Sequence, residues 1–395
     1  MDIVKLKDLT VDGKGTYGVA APAVEYQENL PTYLRITDIL DDGTLNLSEL
    51  KSVKVPDSER YMLRPNDIVF ARTGGSTGRN YFYDGTDGAF VYAGFLIKFS
   101  LDPKKVNPKF IKYFCQSEQY KQWVRSFNTG STRGNINAQT FGNMEIALPG
   151  RKQQDHLVSI LESIGKKIKL NKKINDNLQQ QVMALFRKMF VDTNNDNRHE
   201  CRADEYFDIS IGKTPPRKEP QWFSMNPVDC VWVSISDMGS CGLYIADSSE
   251  YLTHESIERF NVKIVPDNTV ILSFKLTVGR VAITDGDMTT NEAIAHFKTD
   301  KTEINEYLYC YLKEFNYQAM GSTSSIATAV NSKIIKAMPF IVPANDELVE
   351  FHAFAAPMFA MIKANQKENV RLTELRDSLL SRLMSGELDV SDIQL

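Results

Sequence analysis

Residues 151–190, RKQQDHLVSILESIGKKIKLNKKINDNLQQQVMALFRKMF, hold no Pro and a single Gly. Apolar side chains recur along them at helical spacing: Leu157, Ile160, Leu161, Ile164, Ile168, Ile174, Leu178, Val182, Leu185, Phe186 and Met189. That period describes one amphipathic helix. At 1.5 Å per residue, about 40 residues span roughly 60 Å, more than the width of a small domain. The stretch has a second copy near the C-terminus, at a constant offset of 194 residues and without a gap. Pro149 maps to Pro343, Ile164 to Met358, Ile168 to Ile362, Leu178 to Leu372, Leu185 to Leu379 and Met189 to Leu383. Asn171 and Asn175 map to Asn365 and Asn369. A repeat of this length implies two structural copies.

The echo extends outward from the helix. RITDILDDGTL (35–45) returns as VSISDMGSCGL (233–243), and PNDIVFARTGGSTGR (65–79) as PDNTVILSFKLTVGR (266–280). NEYLYCYLKEFNYQAMGSTSS repeats the helix and loop that end in NTGSTRG. The expected order is therefore globule, long helix, globule, long helix, over residues 1–149, 150–192, 193–343 and 344–395. The fold class is α+β: two similar mixed α/β globular domains separated by a pair of long antiparallel α-helices, related by a pseudo-two-fold repeat. Within the first globule, TYLRITDI, DIVFART, FVYAGFLIKF and MEIALP read as strands, and 108–127 as one helical stretch. VDTNNDNRHE (191–200) reads as a linker. Each long helix has a face too apolar for water, so the two should pack together. Asn171 and Asn365 are expected near the pseudo-two-fold axis, where a polar pair can fix register; two outward-facing Asn are the alternative. Pro357, inside the second helix, predicts a kink or a broken turn.

At 395 residues the chain has room for two or three domains with cores. Its formal net charge of −4 does not announce a nucleic-acid binder, although local clusters matter more than the sum. The N-terminus MDIVKLKDLT has no apolar signal core, and no apolar run approaches the ~18 residues of a membrane span. Cys115, Cys201, Cys230, Cys241 and Cys310 form no CxxC pair, which predicts reduced thiols in a cytoplasmic protein.

Catalytic patterns are missing. GKGTYG (13–18) matches G-x-G-x-x-G, but Pro22 and Pro31 follow it where a phosphate-binding helix should start. Asp102-Pro103-Lys104 lacks a nearby partner carboxylate for Mg²⁺, and Ser273 stands where a second-copy nuclease would need one. Pro215-Pro216 lies between Thr214 and Arg217, and Asn226-Pro227 runs into Val228, so neither makes an adenine-methyltransferase loop. His156, His199, His254, His296 and His352 show no metal-ligand spacing. The pattern is that of a binding protein with no catalytic or metal residues.

Polar loops recur at equivalent places in both copies. The first copy supplies Arg72, Thr73, Ser76, Thr77 and Arg79, then Ser131, Thr132, Arg133, Asn135 and Asn137. The second supplies Lys213, Thr214, Arg217 and Lys218, then Lys275, Thr277 and Arg280, then Ser322, Thr323 and Ser324. Backbone N–H groups and hydroxyls in such loops donate to phosphates, and Arg can read guanine bidentately. These residues are the candidate DNA contacts. The first long helix adds nine Lys/Arg (151, 152, 166, 167, 169, 172, 173, 187, 188) against three Asp/Glu, an excess that suits either a solvated face or a phosphate backbone.

Taken in order, these motifs resemble one family. GTYG, YLRITDI, ARTGGSTG, YAGFLIKF and NTGSTRGNIN resemble the first target-recognition domain of the specificity subunit of type I restriction–modification systems. IGKTPPRKEPQWF with WVSISDM resembles the start of a second such domain, and LTELRDSLLSRLMSGELDV with 151–190 the paired spacer regions, where a proline in the second spacer is familiar. The resemblance implies a non-catalytic subunit that reads a bipartite, asymmetric site in double-stranded DNA, one domain per half. It implies a helix pair that sets the spacing and docks two methyltransferase subunits. It also implies no cofactor on this chain, with S-adenosylmethionine, ATP and Mg²⁺ on partner subunits, among them an ATP-dependent restriction/translocase subunit. Two other readings compete: a self-contained DNA modification or restriction enzyme, and a two-lobed protein-binding scaffold with no DNA role.

Overall fold

The structure, a computed structural model, describes residues 2–127, 134–320 and 331–384. It divides into two compact units, Met1–Lys167 with Arg371–Leu395, and Ile168–Val370. The long helices are assigned to Arg151–Phe186 and Asn345–Met384, so each contributes residues to both units. The first ends in a single π turn, Arg187–Val191. The second is not broken at Pro357, which lies inside one continuous 40-residue helix. Neighbouring apolar contacts (Phe351, Ala355 and Phe359 are buried in one core) hold the helix where one backbone hydrogen bond is missing.

In the first unit, the antiparallel sheet runs Thr16–Tyr17, Leu96–Ser100, Asp67–Ala71, Asn80–Tyr83. A second sheet runs Ala23–Glu25, Lys51–Val53, Thr32–Leu34, Phe90–Tyr92, and its last two strands are parallel. Asp2–Lys5 pairs with Glu145–Leu148. Asp67–Ala71 is buried at every position, which suits its unbroken apolar run IVFA. The predicted helix over 108–127 is two helices, Pro108–Phe114 and Glu118–Arg125. The break has a local cause: Ser117 stays extended and its side chain accepts from Tyr120 N–H, capping the second helix. Leu157, Val158, Leu161 and Leu380 join the core of this unit, so the start of the first long helix and the end of the second pack on the same lobe.

The second unit repeats this plan. Its larger sheet runs Asp208–Ile211, Ile294–Lys298, Val270–Ser273, Val281–Thr284, Tyr244–Ile245. Its other sheet runs Phe223–Ser224, Tyr251–Leu252, Cys230–Val233, Thr289–Thr290, again with a parallel final pair. His199–Arg202 pairs with Pro339–Val342. Val182, Phe186, Phe351, Phe359 and Ile362 of the long helices share one core with the second lobe. Gln366 adds a polar tie: its amide accepts from Tyr244 N–H (3.1 Å) and donates to Tyr244 O (2.9 Å).

Within this unit the two helices are antiparallel. Asn171 Nδ2 donates to Asn369 Oδ1 at 2.9 Å and Glu368 Oε2 at 2.7 Å, and Asn365 Nδ2 donates to Asn175 Oδ1 at 2.8 Å. The 194-residue offset maps the Asn171–Asn369 bond onto the Asn365–Asn175 bond, as a pseudo-two-fold axis requires. Asn171 and Asn365 therefore do not pair with each other; each meets the second Asn of the opposite helix. Asn171 is 1% exposed.

The strands also adjust the repeat by one residue. Arg72 N–H donates to Phe95 O at 3.0 Å, and Phe274 N–H donates to Ala293 O at 2.9 Å. Asn66 and Asn268 both take positive φ, 75° and 55°, before these strands. Arg72 is thus the counterpart of Phe274, whereas the ungapped alignment of 65–79 with 266–280 sets it against Ser273. Likewise Arg35 N–H and Ser234 N–H bond to Asp38 and Asp237, so 35 matches 234. Gly18 and Gly212 occupy one another's places. An added Cβ would lie 2.2 Å from Tyr92 O at Gly18 and 2.2 Å from Asn291 O at Gly212. The last Gly of GKGTYG serves this close backbone approach.

His296, fully buried on Ile294–Lys298, lies between Ser210 Oγ (2.9 Å from Nδ1) and Thr290 Oγ1 (2.7 Å from Nε2). Burial, with Lys298 nearby, lowers its pKa from 6.5 to about 3. The ring is neutral when folded, so its contribution is fully present above the unfolded value and is lost as pH falls toward the folded one. His296→Gln is expected to flatten the decline in melting temperature between about pH 6.5 and about pH 3. An unchanged decline would assign that acid sensitivity to other groups.

Candidate nucleic-acid interface

The strand Asp67–Ala71 delivers Arg72 and Thr73 to its end, and a 3-10 turn, Gly74–Ser76, returns the chain to Asn80–Tyr83. Gly74 (φ 80°) opens the turn, and Gly78 (φ 87°) closes it where a Cβ would lie 2.4 Å from Val124. Thr77 Oγ1 donates to Gly74 O (2.7 Å) and Gly134 O (3.0 Å). Thr73 bridges Asn135, and Ile136 N–H donates to Arg72 O at 2.9 Å. The described end of the second polar run, residues 134–136, therefore lies against the first run although the two are far apart in sequence. Ser76 is half-buried in the turn and Asn135 is exposed. Asn137 caps the helix Ala138–Gly142 by accepting from Thr140 N–H at 2.9 Å. Ser131, Thr132 and Arg133, and in the second lobe Ser322, Thr323 and Ser324, lie outside the described residues.

Several candidate cations are engaged within the fold. Arg79 grips Asp41 with Nε and Nη2 (2.7 and 3.1 Å) and donates to Ile39 O (3.2 Å). Arg217 grips Glu250 (2.9 and 2.7 Å), with its guanidinium 4.1 Å from the Phe223 ring and 4.6 Å from the Trp232 ring. Arg280 donates to Ile235 O and lies against Gly239, where a Cβ would be 2.5 Å from Nη1. Lys213 donates to Phe260 O and Thr214 to Glu292. Lys218, Lys275 and Thr277 are exposed. Arg79–Asp41 and Arg217–Glu250 are surface pairs, a class worth about 0–1 kcal/mol, so either pair can open at small cost. Arg280 is different: its carbonyl bond and its packing on Gly239 are part of the fold.

Arg72 is open. Its guanidinium lies 5.1 Å from the centroid of Tyr17, and among the described residues the buried Nε has no hydrogen-bond partner and the Nη atoms make no bond. Tyr17, Phe95 and Leu276 lie inside the quoted runs GTYG, YAGFLIKF and PDNTVILSFKLTVGR, but their residue types do not mark them as contacts. Tyr17 is 43% and Phe95 59% exposed, while Leu276 is 97% exposed with φ 60° at the tip beside Lys275 and Thr277. All nine cations of the first long helix are exposed. Arg151 is paired with Asp155 and Arg187 with Glu314. Among the described residues no cluster of His, Cys, Asp and Glu could hold a metal ion. No described helix is long and apolar enough to cross a membrane.

A family model described as the type I restriction modification DNA specificity domain matches residues 3–180 and again residues 197–373. The HindI specificity subunit of Haemophilus influenzae is 21% identical over 437 residues, covering 90% of this chain and 94% of the relative. The MjaIX specificity subunit of Methanocaldococcus jannaschii is 24% identical over 315 residues, covering 72% and 70%. The solved S subunit of the type I system of M. genitalium shares the fold, with a TM-score of 0.54 at 15% identity over 97% of this chain and 95% of that one.

Proposed function

The chain belongs to the type I restriction–modification DNA specificity family, whose members are non-catalytic specificity subunits, and from that premise we propose that it reads a bipartite, asymmetric site in double-stranded DNA. The supporting observation is the double family match onto two lobes that share strand order and backbone hydrogen bonds yet differ at their loop residues. One backbone plan with two sets of exposed side chains suits two different half-sites. The first lobe reads one half with Thr73, Asn135 and Arg72; the second reads the other with Lys218, Lys275 and Thr277. The antiparallel helices set the distance between halves and dock two methyltransferase subunits. Those subunits bring S-adenosylmethionine, and an ATP-dependent restriction subunit with Mg²⁺ joins for cleavage. The chain itself holds no cofactor.

The complex of the chain with its methyltransferase partner should bind duplex DNA with an affinity that falls steeply with salt. Six phosphate contacts would give a slope of log K against log salt of about −5. Sequencing of methylated bases in DNA modified by the complex should return one motif in two parts separated by unread bases. A salt-insensitive complex that modifies no motif would favour the scaffold reading instead. Turnover by the purified chain alone, with S-adenosylmethionine or Mg²⁺ and DNA, would favour the enzyme reading.

A further inference from the structure

The second lobe shows what the first lobe's fold does without. Three matched backbone positions carry Arg72, Tyr17 and Phe95 in the first lobe and Phe274, Ile211 and Ala293 in the second. The match rests on hydrogen bonds and register: Arg72 N–H to Phe95 O and Phe274 N–H to Ala293 O, with Tyr17 opposite Ile97 and Ile211 opposite Ala295. In the second lobe the trio is apolar, with Phe274 0% and Ala293 5% exposed. The same backbone therefore folds with an apolar residue at this position, and the nearby cation, Lys275, has Nζ 5.6 Å from the Phe274 ring centroid. In the first lobe a guanidinium has its Nε buried without a hydrogen-bond partner among the described residues, an arrangement that disfavours folding. Tyr17, whose ring lies by the guanidinium, and Phe95, whose carbonyl accepts from Arg72 N–H, are both partly exposed, 43% and 59%.

Tyr17 is itself held in place. Its hydroxyl accepts from Ala138 N–H at 3.1 Å, which ties the ring to the start of the helix that follows Asn135 and Asn137. Arg72 is then restrained from two sides, by its backbone bond to Phe95 O and by the face of Tyr17. The restraint leaves the two Nη groups as a preset fork with no protein acceptor among the described residues. A cation stacked on an aromatic face loses little freedom when it binds. The acceptor pair that a fork of this kind fits is N7 and O6 of guanine in the major groove; adenine offers N7 beside a donor. A phosphate presents a comparable pair of acceptors.

Resting on the DNA-reading assignment above, we propose that Arg72 reads a guanine in the half-site of the first lobe, with Tyr17 as the positioning residue that presets its guanidinium. At the matched position the second lobe carries Phe274 instead.

The test uses the full chain with its methyltransferase partner. Methylated motifs are compared for the wild type, Arg72→Lys, Tyr17→Phe and Tyr17→Leu, and binding is measured on duplexes in which 7-deazaguanine replaces single guanines of the motif. Arg72→Lys keeps the charge for a phosphate but loses the fork. It should relax one guanine position of one half by about tenfold and leave the other half unchanged. Tyr17→Phe keeps the ring under the guanidinium and should retain more of that preference than Tyr17→Leu. At the same position 7-deazaguanine should weaken the wild type and leave Arg72→Lys unaffected. Equal weakening of Arg72→Lys on all sequences, with a shallower salt slope, would make Arg72 a phosphate contact and overturn the proposal. So would full guanine preference in Arg72→Lys with an unchanged melting temperature. Absence of any motif for the wild-type complex would bring down the DNA-reading assignment as well, which separates the two failures.

Discussion

Arg198→Ala is expected to lower unfolding free energy by about 3–5 kcal/mol, the usual loss when one partner of a buried ion pair is removed. The Arg198 side chain is 9% exposed and that of Glu347 17%. Nε and Nη2 of Arg198 donate to Glu347 at 2.9 and 2.6 Å. Nη1 donates to Phe190 O (3.2 Å) and Thr193 O (2.7 Å), and Nη2 also to Met189 O. The carbonyls of Met189 and Phe190 belong to the final π turn of the first long helix, where a cation also meets the negative end of the helix dipole. Glu347 lies in the first turn of the second long helix. One guanidinium therefore joins the end of one helix to the start of the other. Its hydrogen bond holds the Glu347 carboxyl below the usual carboxylate range. Without it, a carboxylate and several carbonyls are stranded. Arg198→Met with Glu347→Leu should recover most of the loss, because an apolar pair leaves no buried charge alone. Denaturant unfolding of the three proteins measures this. A loss for Arg198→Ala near the ~0.5 kcal/mol of a surface pair would show that water already reaches the site.

Four residues inserted after Lys173, with four more after Lys367, should abolish recognition of the original site and create recognition of a longer one. Four residues add about 6 Å of helix, close to two base-pair rises of ~3.4 Å. Loss of the specific mode should lower affinity for the original sequence by at least about 10³-fold, the gap between specific and non-specific binding. The double insertion matters because of Asn171–Asn369 and Asn365–Asn175. Both insertion points fall between the two Asn of their helix, so matched insertions move the pairs apart together. An insertion in one helix alone dephases them and buries amides without partners, so that variant should be less stable than the double one. The methylated motif is the readout. An unchanged gap in the double-insertion motif would show that the helices do not set the spacing.

The polar linker expected over 191–200 is instead tied down, and its Arg198 is among the most constrained cations of the second unit. Charge and turn residues made that stretch read as a tether, because no local pattern reveals a partner 149 residues away at Glu347. In sequence Arg79, Arg217 and Arg280 are candidates for the same reason as Arg72: they sit in loops that recur. Only the folded chain separates them, because Asp41, Glu250 and the Ile235 carbonyl are brought to three of them and nothing of the kind to Arg72 among the described residues. Nothing in the sequence marks Tyr17 and Phe95 as exposed, because a ring in a strand-forming run usually signals core; their exposure becomes evident only when neighbouring strands are in place. Pro357 shows the reverse: of the kink or broken turn that local chemistry predicts, the broken turn does not occur, and the helix runs on through a stretch whose Phe351, Ala355 and Phe359 are buried.

The amino-acid sequence by itself determined the two copies, the long helices and their antiparallel union. Helical period and repeat offset are local, additive signals that survive without tertiary context. The tertiary structure decided the one-residue shift that sets Arg72 against Phe274, the cross-pairing of the four Asn, and which guanidinium groups are left open. Each of these depends on which distant backbone carbonyl or carboxylate arrives beside a side chain, and that is set by strand register and shared cores rather than by the neighbours in the chain.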